Sequence, residues 1–171
     1  MRDRLRIAVL VLACGACPAA LPQTSTAQTH PMPSAAEYSA SLLPERADVV
    51  SWRTLSGVKL VKDNGGMALA FNDDILQLDQ RELRVQGFMI PLGMGQEQTH
   101  FLVSAVPPSC PFCVPAKAAE IVEVLSKKPV TYGTEPIVVG GKFAVLKHEP
   151  SGVVYRMSDA IVIAASGAAA R

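Results

Sequence analysis

The stretch Glu82-Leu83-Arg84-Val85-Gln86-Gly87-Phe88-Met89-Ile90-Pro91 alternates along most of its length. Leu83, Val85, Gly87 and Met89 share one face, and Arg84, Gln86 and Phe88 share the other. That period of two belongs to a strand with one buried side. Pro91, Gly93 and Gly95 then supply a turn, and residues 99–105 return as a second strand.

Further along, residues 121–125 fit a short strand or a short helix equally, because so brief an apolar run shows no period. Residues 136–146 are β-rich and bend at Gly140-Gly141, where a bulge or barrel corner is expected. Pro150-Ser151-Gly152 marks a tight turn, and residues 153–163 form the last β-rich run, with a break expected near Ser158-Asp159. Upstream, residues 52–61 alternate loosely and end at the turn Asn64-Gly65-Gly66, while Asp73-Asp74 caps a short helical turn leading to Leu78. No segment sustains the three-to-four spacing of a long amphipathic helix. The expected fold is mainly β: a small five-stranded OB-like barrel over residues 49–164, with a small open sandwich as the alternative.

The start of the chain reads as a signal peptide over residues 1–27. Arg2, Arg4 and Arg6 precede the apolar run Ile7-Ala8-Val9-Leu10-Val11-Leu12-Ala13, and Ser25-Thr26-Ala27 offers the small residues a signal peptidase reads. The apolar run is too short for a membrane anchor and is followed by Gly15 and Pro18. Val11-Leu12-Ala13-Cys14 also resembles a lipoprotein cleavage box, so lipidation of Cys14 is the alternative to soluble release, and only that route would tie the protein to a membrane. Either way the expected location is periplasmic or secreted, where paired cysteines can oxidise. Residues 28–48, poor in periodic apolar positions, are expected to be a flexible linker, and residues 165–171 a disordered tail.

Formal net charge is +1, and loss of Arg2, Asp3, Arg4 and Arg6 with the leader leaves about −1. No basic patch remains to neutralise a phosphate backbone, and aromatic residues are too sparse, at 5%, for a base-stacking platform. Nucleic acid is therefore not an expected partner.

Cys110-Pro111-Phe112-Cys113 carries most of the functional information. If cleavage falls after Ala27, Cys14 and Cys17 leave with the leader and these are the two cysteines of the mature chain. Three readings compete. As a metal site, Cys110 and Cys113 give two soft ligands suited to zinc or copper(I), and a closed zinc site needs two more. His100, on the strand that leads into the loop, is the best third candidate; His148, Asp159 and His30 are weaker ones. As a thiol–disulfide exchange motif, Cys110 would attack and Cys113 resolve. That chemistry wants a helix N-terminus in a βαβ setting, and Pro115 with a β-leaning continuation argues against it. As a plain disulfide, the pair would only stiffen a proline-rich loop in a binding module without chemistry. Trp52 reads as a core or lid residue, and Asp73-Asp74 as a solvated turn. No Ser-His-Asp order, phosphate loop or close carboxylate pair supports hydrolase or transferase chemistry, so the expectation is a non-enzymatic protein.

Several segments together resemble an uncharacterised family of exported bacterial proteins, domain of unknown function 3299. They are Ser51-Trp52-Arg53-Thr54-Leu55, Leu83 through Leu92, His100-Phe101-Leu102-Val103-Ser104 and Pro107-Pro108-Ser109-Cys110-Pro111-Phe112-Cys113. The likeness continues through Glu135-Pro136-Ile137-Val138-Val139 and Tyr155-Arg156-Met157, covering about residues 51–163. The family has no established activity. Some relatives occur beside zinc-responsive transport components, so the resemblance implies metal handling with such components as partners. It implies Cys110 as the shared position and Cys113 as a variant partner. The family usually has glycine after the aspartate before the Gly-Phe strand, where this chain has Asp79-Gln80.

Overall fold

The computed structural model describes residues 35–44, 46–63, 66–108, 117–147 and 151–165. In chain order the helices are α1 (Ala35–Leu42), α2 (Trp52–Leu55) and α3 (Asp73–Leu76). The strands are β1 (Lys59–Asp63), β2 (Gly66–Ala70), β3 (Glu82–Pro91), β4 (Glu97–Ser104), β5 (Ile121–Thr131), β6 (Ile137–Val145) and β7 (Tyr155–Ala165). The expected leader, Cys14, the linker's first residues 28–34 and most of the tail lie outside the described residues. Among the described residues no helix is long and apolar enough to cross a membrane.

The alternating stretch is β3, with the bounds the pattern predicts. Gln98 fastens its turn to β4: Gln98 Oε1 accepts from Gly93 N–H (3.0 Å), and Nε2 donates to the carbonyls of Gly93 (3.2 Å) and Gly95 (2.5 Å). β3, β4 and β5 pair antiparallel in sequence; β7 then pairs parallel to β5, and β6 lies between β7 and β3. The five strands close into a mixed barrel in the order β3-β4-β5-β7-β6, the OB-like architecture expected from the pattern. The ambiguous run at 121–125 is therefore strand, and it continues to Thr131.

Inward residues of all five strands fill the barrel. Val85, Met89, Phe101, Val103, Val122, Val124, Val139, Phe143, Tyr155 and Met157 are essentially withdrawn from water. The Phe143 and Tyr155 rings lie with centroids 5.3 Å apart. Gly87 is required where β3 crosses β4, since a Cβ there would lie 2.5 Å from the Ser104 carbonyl oxygen. The expected bend at Gly140-Gly141 and break at Ser158-Asp159 are one feature seen from two strands. The β6–β7 register shifts between Gly140 and Lys142, and Asp159 takes the left-handed conformation with φ 53°.

The loosely alternating residues 52–61 divide between a helical turn and the start of β1. Ser51 caps α2, its Oγ accepting from Thr54 N–H at 3.1 Å, and only after this turn does β1 begin. Trp52 and Leu55 then enter the core, with Trp52 Nε1 donating to Gln86 O (2.8 Å) and Tyr155 Oη donating to Leu55 O (2.6 Å). Burial pushes the Tyr155 hydroxyl well above its usual pKa, which keeps it a neutral donor. Trp52 is thus a core residue, as expected. Within the described part of residues 28–48 lies α1, and Leu43 just beyond it packs on the core. Arg46 grips Asp48 with two hydrogen bonds, and Asp48 also accepts from Arg84 of β3 (2.7 Å). These hydrogen bonds hold the Asp48 carboxyl far below the usual range.

Gln80 occupies the position where the resembled family usually has glycine, and its φ is 62°. The left-handed turn is kept without glycine. Backbone bonds hold it in place: Gln80 N–H donates to Phe143 O (2.7 Å), and Asp79 Oδ1 accepts from Val145 N–H (2.8 Å).

Candidate functional site

The cysteine segment leaves the barrel after β4 and rejoins it before β5. Its two roots are fastened together. Ala105 N–H donates to Glu120 O (3.1 Å), and Ser104 Oγ accepts from Val106 N–H (3.3 Å). On the returning side Lys117 and Glu120 bracket a 3-10 turn, Ala118–Glu120: Glu120 N–H donates to Lys117 O (2.8 Å), and Glu120 Oε2 accepts from Lys117 N–H (2.9 Å). Glu120 is buried, a carboxylate at the base of the loop that the sequence reading did not single out. Its signal was Lys117-Ala-Ala-Glu120, a glutamate three residues after a cap position. A cleft of about 400 Å³ opens beside the outgoing root, between Pro107, Phe88 and Pro136. Cys110 and Cys113 themselves lie outside the described residues, as do His30 and His148.

His100 projects from the outer face of β4, where strand alternation puts Phe101 and Val103 inward. Its Nε2 shares a hydrogen bond with Glu123 Oε1 of β5 at 2.8 Å, and the other carboxylate oxygen accepts from Arg156 Nε of β7 at 2.6 Å. The register explains the meeting. Glu123 pairs directly with Arg156, while His100 pairs with Leu125 and so lies diagonal to Glu123. Burial opposes ionisation of Glu123, but the bonds from Arg156 and His100 outweigh it, so its carboxyl sits below the ordinary glutamate range. In the neutral tautomer whose Nε2–H donates to Glu123, Nδ1 carries the lone pair, and about half of the His100 side chain is exposed. A carboxylate that fixes the ring and tautomer of an imidazole is the support a metal-ligating histidine ordinarily has.

Ser104, where β4 ends, is four positions beyond His100, or roughly 13 Å along a strand. The described structure therefore joins His100 to Glu123 and Arg156. Asp159 is exposed on β7, its Oδ1 3.4 Å from Lys127 Nζ. Among the described residues no group of three or more His, Cys, Asp or Glu side chains is placed to hold a metal ion.

No protein-family profile and no curated protein matches the chain. Among solved structures it is similar to the crystal structure of a DUF3299 family protein from Pseudomonas aeruginosa PAO1, with 25% sequence identity and a TM-score of 0.42. The match covers 52% of this chain and 62% of the Pseudomonas chain. That structural neighbour is of the family that the Gly-Phe strand and the cysteine cluster resemble.

Proposed function

We propose that the protein is exported and binds or hands on a transition metal, zinc before copper(I). Cys110 and Cys113 are the paired thiolate ligands and His100 the third. The observation that carries this reading over disulfide exchange is the way the chain returns to the barrel. Only three residues lie between Cys113 and Lys117, and from there a 3-10 turn leads straight into β5. There is no room after Cys113 for the multi-turn helix whose N-terminus lowers the pKa of an attacking thiol in exchange enzymes. Two thiolates together with an imidazole that a carboxylate supports are a donor set suited to a borderline-soft cation.

The mature chain, purified without chelators, tests this through bound metal and free thiols measured on one sample. About one equivalent of metal that is lost in Cys110→Ser supports the proposal. A metal-free protein that exchanges disulfides with a dithiol substrate supports the redox reading instead, and a fully oxidised, inert pair supports a stapled binding module. Because thiols must ionise before they bind, metal retention should fall as pH is lowered. Mass spectrometry of the exported form distinguishes soluble release from lipidation at Cys14.

A further inference from the structure

The first half of β3 has an unusual outer edge. Glu82 to Gly87 pair with β6 on one side, but β4 meets β3 only from Phe88 onward. The other edge is met by the N-terminal segment, through Val50 N–H donating to Arg84 O (2.9 Å) and the Trp52 indole donating to Gln86 O. Between this segment and β3 lies a cleft of about 500 Å³. Leu43, Val50 and Trp52 give it apolar walls, and Arg46, Arg53 and Gln86 give it polar groups.

Gln86 is the residue that turns a cleft into a site. It is only 4% exposed and lies on the outer face of β3, opposite in sense to the inward Val85. Its carboxamide has no hydrogen-bond partner among the described residues, while its backbone pairs with β6 and its carbonyl oxygen also accepts from the Trp52 indole. Nor are its polar atoms sealed away, since no fully enclosed side-chain nitrogen or oxygen lacks a partner. Native structures rarely leave a buried amide unmatched, and this one opens into the cleft. Among the described residues cationic side chains outnumber carboxylates there. Arg46 and Arg84 share the single carboxylate of Asp48, and Arg53 has no ion-pair partner among the described residues.

We infer that this cleft binds an acylated amino-acid carboxylate, the chemistry shared by a peptide C-terminus and a free N-acyl amino acid. Arg53 takes the carboxylate, for which a guanidinium fork is suited. The Gln86 carboxamide, one acceptor and two donors, pairs with the ligand's amide. The ligand's side chain rests on Leu43, Val50 and Trp52. The inference stands apart from the cysteine pair and does not depend on metal binding.

The chain has one tryptophan, so the indole N–H of Trp52 gives a single NMR signal at the cleft wall. Titration of the mature protein with N-acetyl-leucine should shift that signal saturably, together with the amides of Val50 and Gln86. N-acetyl-leucinamide, lacking the carboxylate, should bind about fivefold or more weakly. Arg53→Gln, an exposed substitution, should bring the acid down to the level of the amide, and Gln86→Leu should weaken both. Tighter binding of the tripeptide Ala-Ala-Leu assigns the site to peptide ends; equal binding assigns it to free N-acyl amino acids. No saturable shift at about 10 mM ligand, or identical binding in both variants, overturns the inference.

Discussion

The β1–β2 and β6–β7 pairs are both antiparallel and both carry apolar side chains, yet they have opposite fates. In β1–β2, Leu60 faces Leu69 and Lys62 faces Met67, with Leu60 61% and Met67 63% exposed. In β6–β7, Phe143 faces Met157 and Val145 faces Tyr155, and all four are buried. The difference is neighbours. Each barrel strand has a partner on both sides, whereas the β1–β2 sheet has two strands among the described residues. Strand-forming residues make a hairpin, but closure of the sheet makes a core.

The sharpest way to probe this contrast is at the tightest contact in the barrel wall. Gly87→Ala forces a methyl against Ser104 O and Val103 Cγ1, and should destabilise the protein by about 3 kcal/mol, read from the urea midpoint at unchanged slope. On the barrel's outside, Glu123→Gln weakens the link across β4, β5 and β7 and should cost about 1–2 kcal/mol. This effect depends on pH with a definite sign. The Glu123 carboxyl is lowered in the folded state, so its contribution is full above the ordinary glutamate pKa, about 4.3, and fades as pH falls through the lowered value. The gap between wild type and Glu123→Gln should therefore narrow from about pH 6 to about pH 3 in thermal unfolding. Gln80→Gly relieves a side chain from φ 62° and should raise stability by about 0.5–1 kcal/mol, less than the strain removed because glycine also loosens the unfolded chain. The smallest effect belongs to the exposed hairpin, where Leu60→Ser should change stability by no more than about 0.5 kcal/mol. A loss as large as that of Gly87→Ala would mean that the hairpin is buried in solution.

The same contrast explains what could be read from the sequence. β3 was legible because its inward positions, Val85, Gly87 and Met89, recur every second residue, although Gln86 and Phe88 on the other face are buried too. The pairs Gly140-Gly141 and Ser158-Asp159 announced the bulge through residue type alone. Helix α2 was missed because four residues cannot show a helical period, although Ser51 and Thr54 stood in a capping relation. Helix α1 was hidden in a polar, small-residue composition, whose order comes from Leu43 on the core and Asp48 on Arg84. His100 was legible as a candidate. Its meeting with Glu123 and Arg156 was not, because those residues lie 23 and 56 positions away and only the strand register brings them together. Gln86 likewise looked like an ordinary outward strand residue until the N-terminal segment was seen to cover it.

Zinc K-edge absorption on the zinc-loaded mature chain reads the identity of the donors without presuming the rest of the site. Two sulfur scatterers at about 2.3 Å, with the remaining shell made of nitrogen or oxygen and one imidazole lost in His100→Ala, are the predicted result. A first shell without sulfur, or a chain that will not take up zinc stoichiometrically once its thiols are reduced, would contradict it.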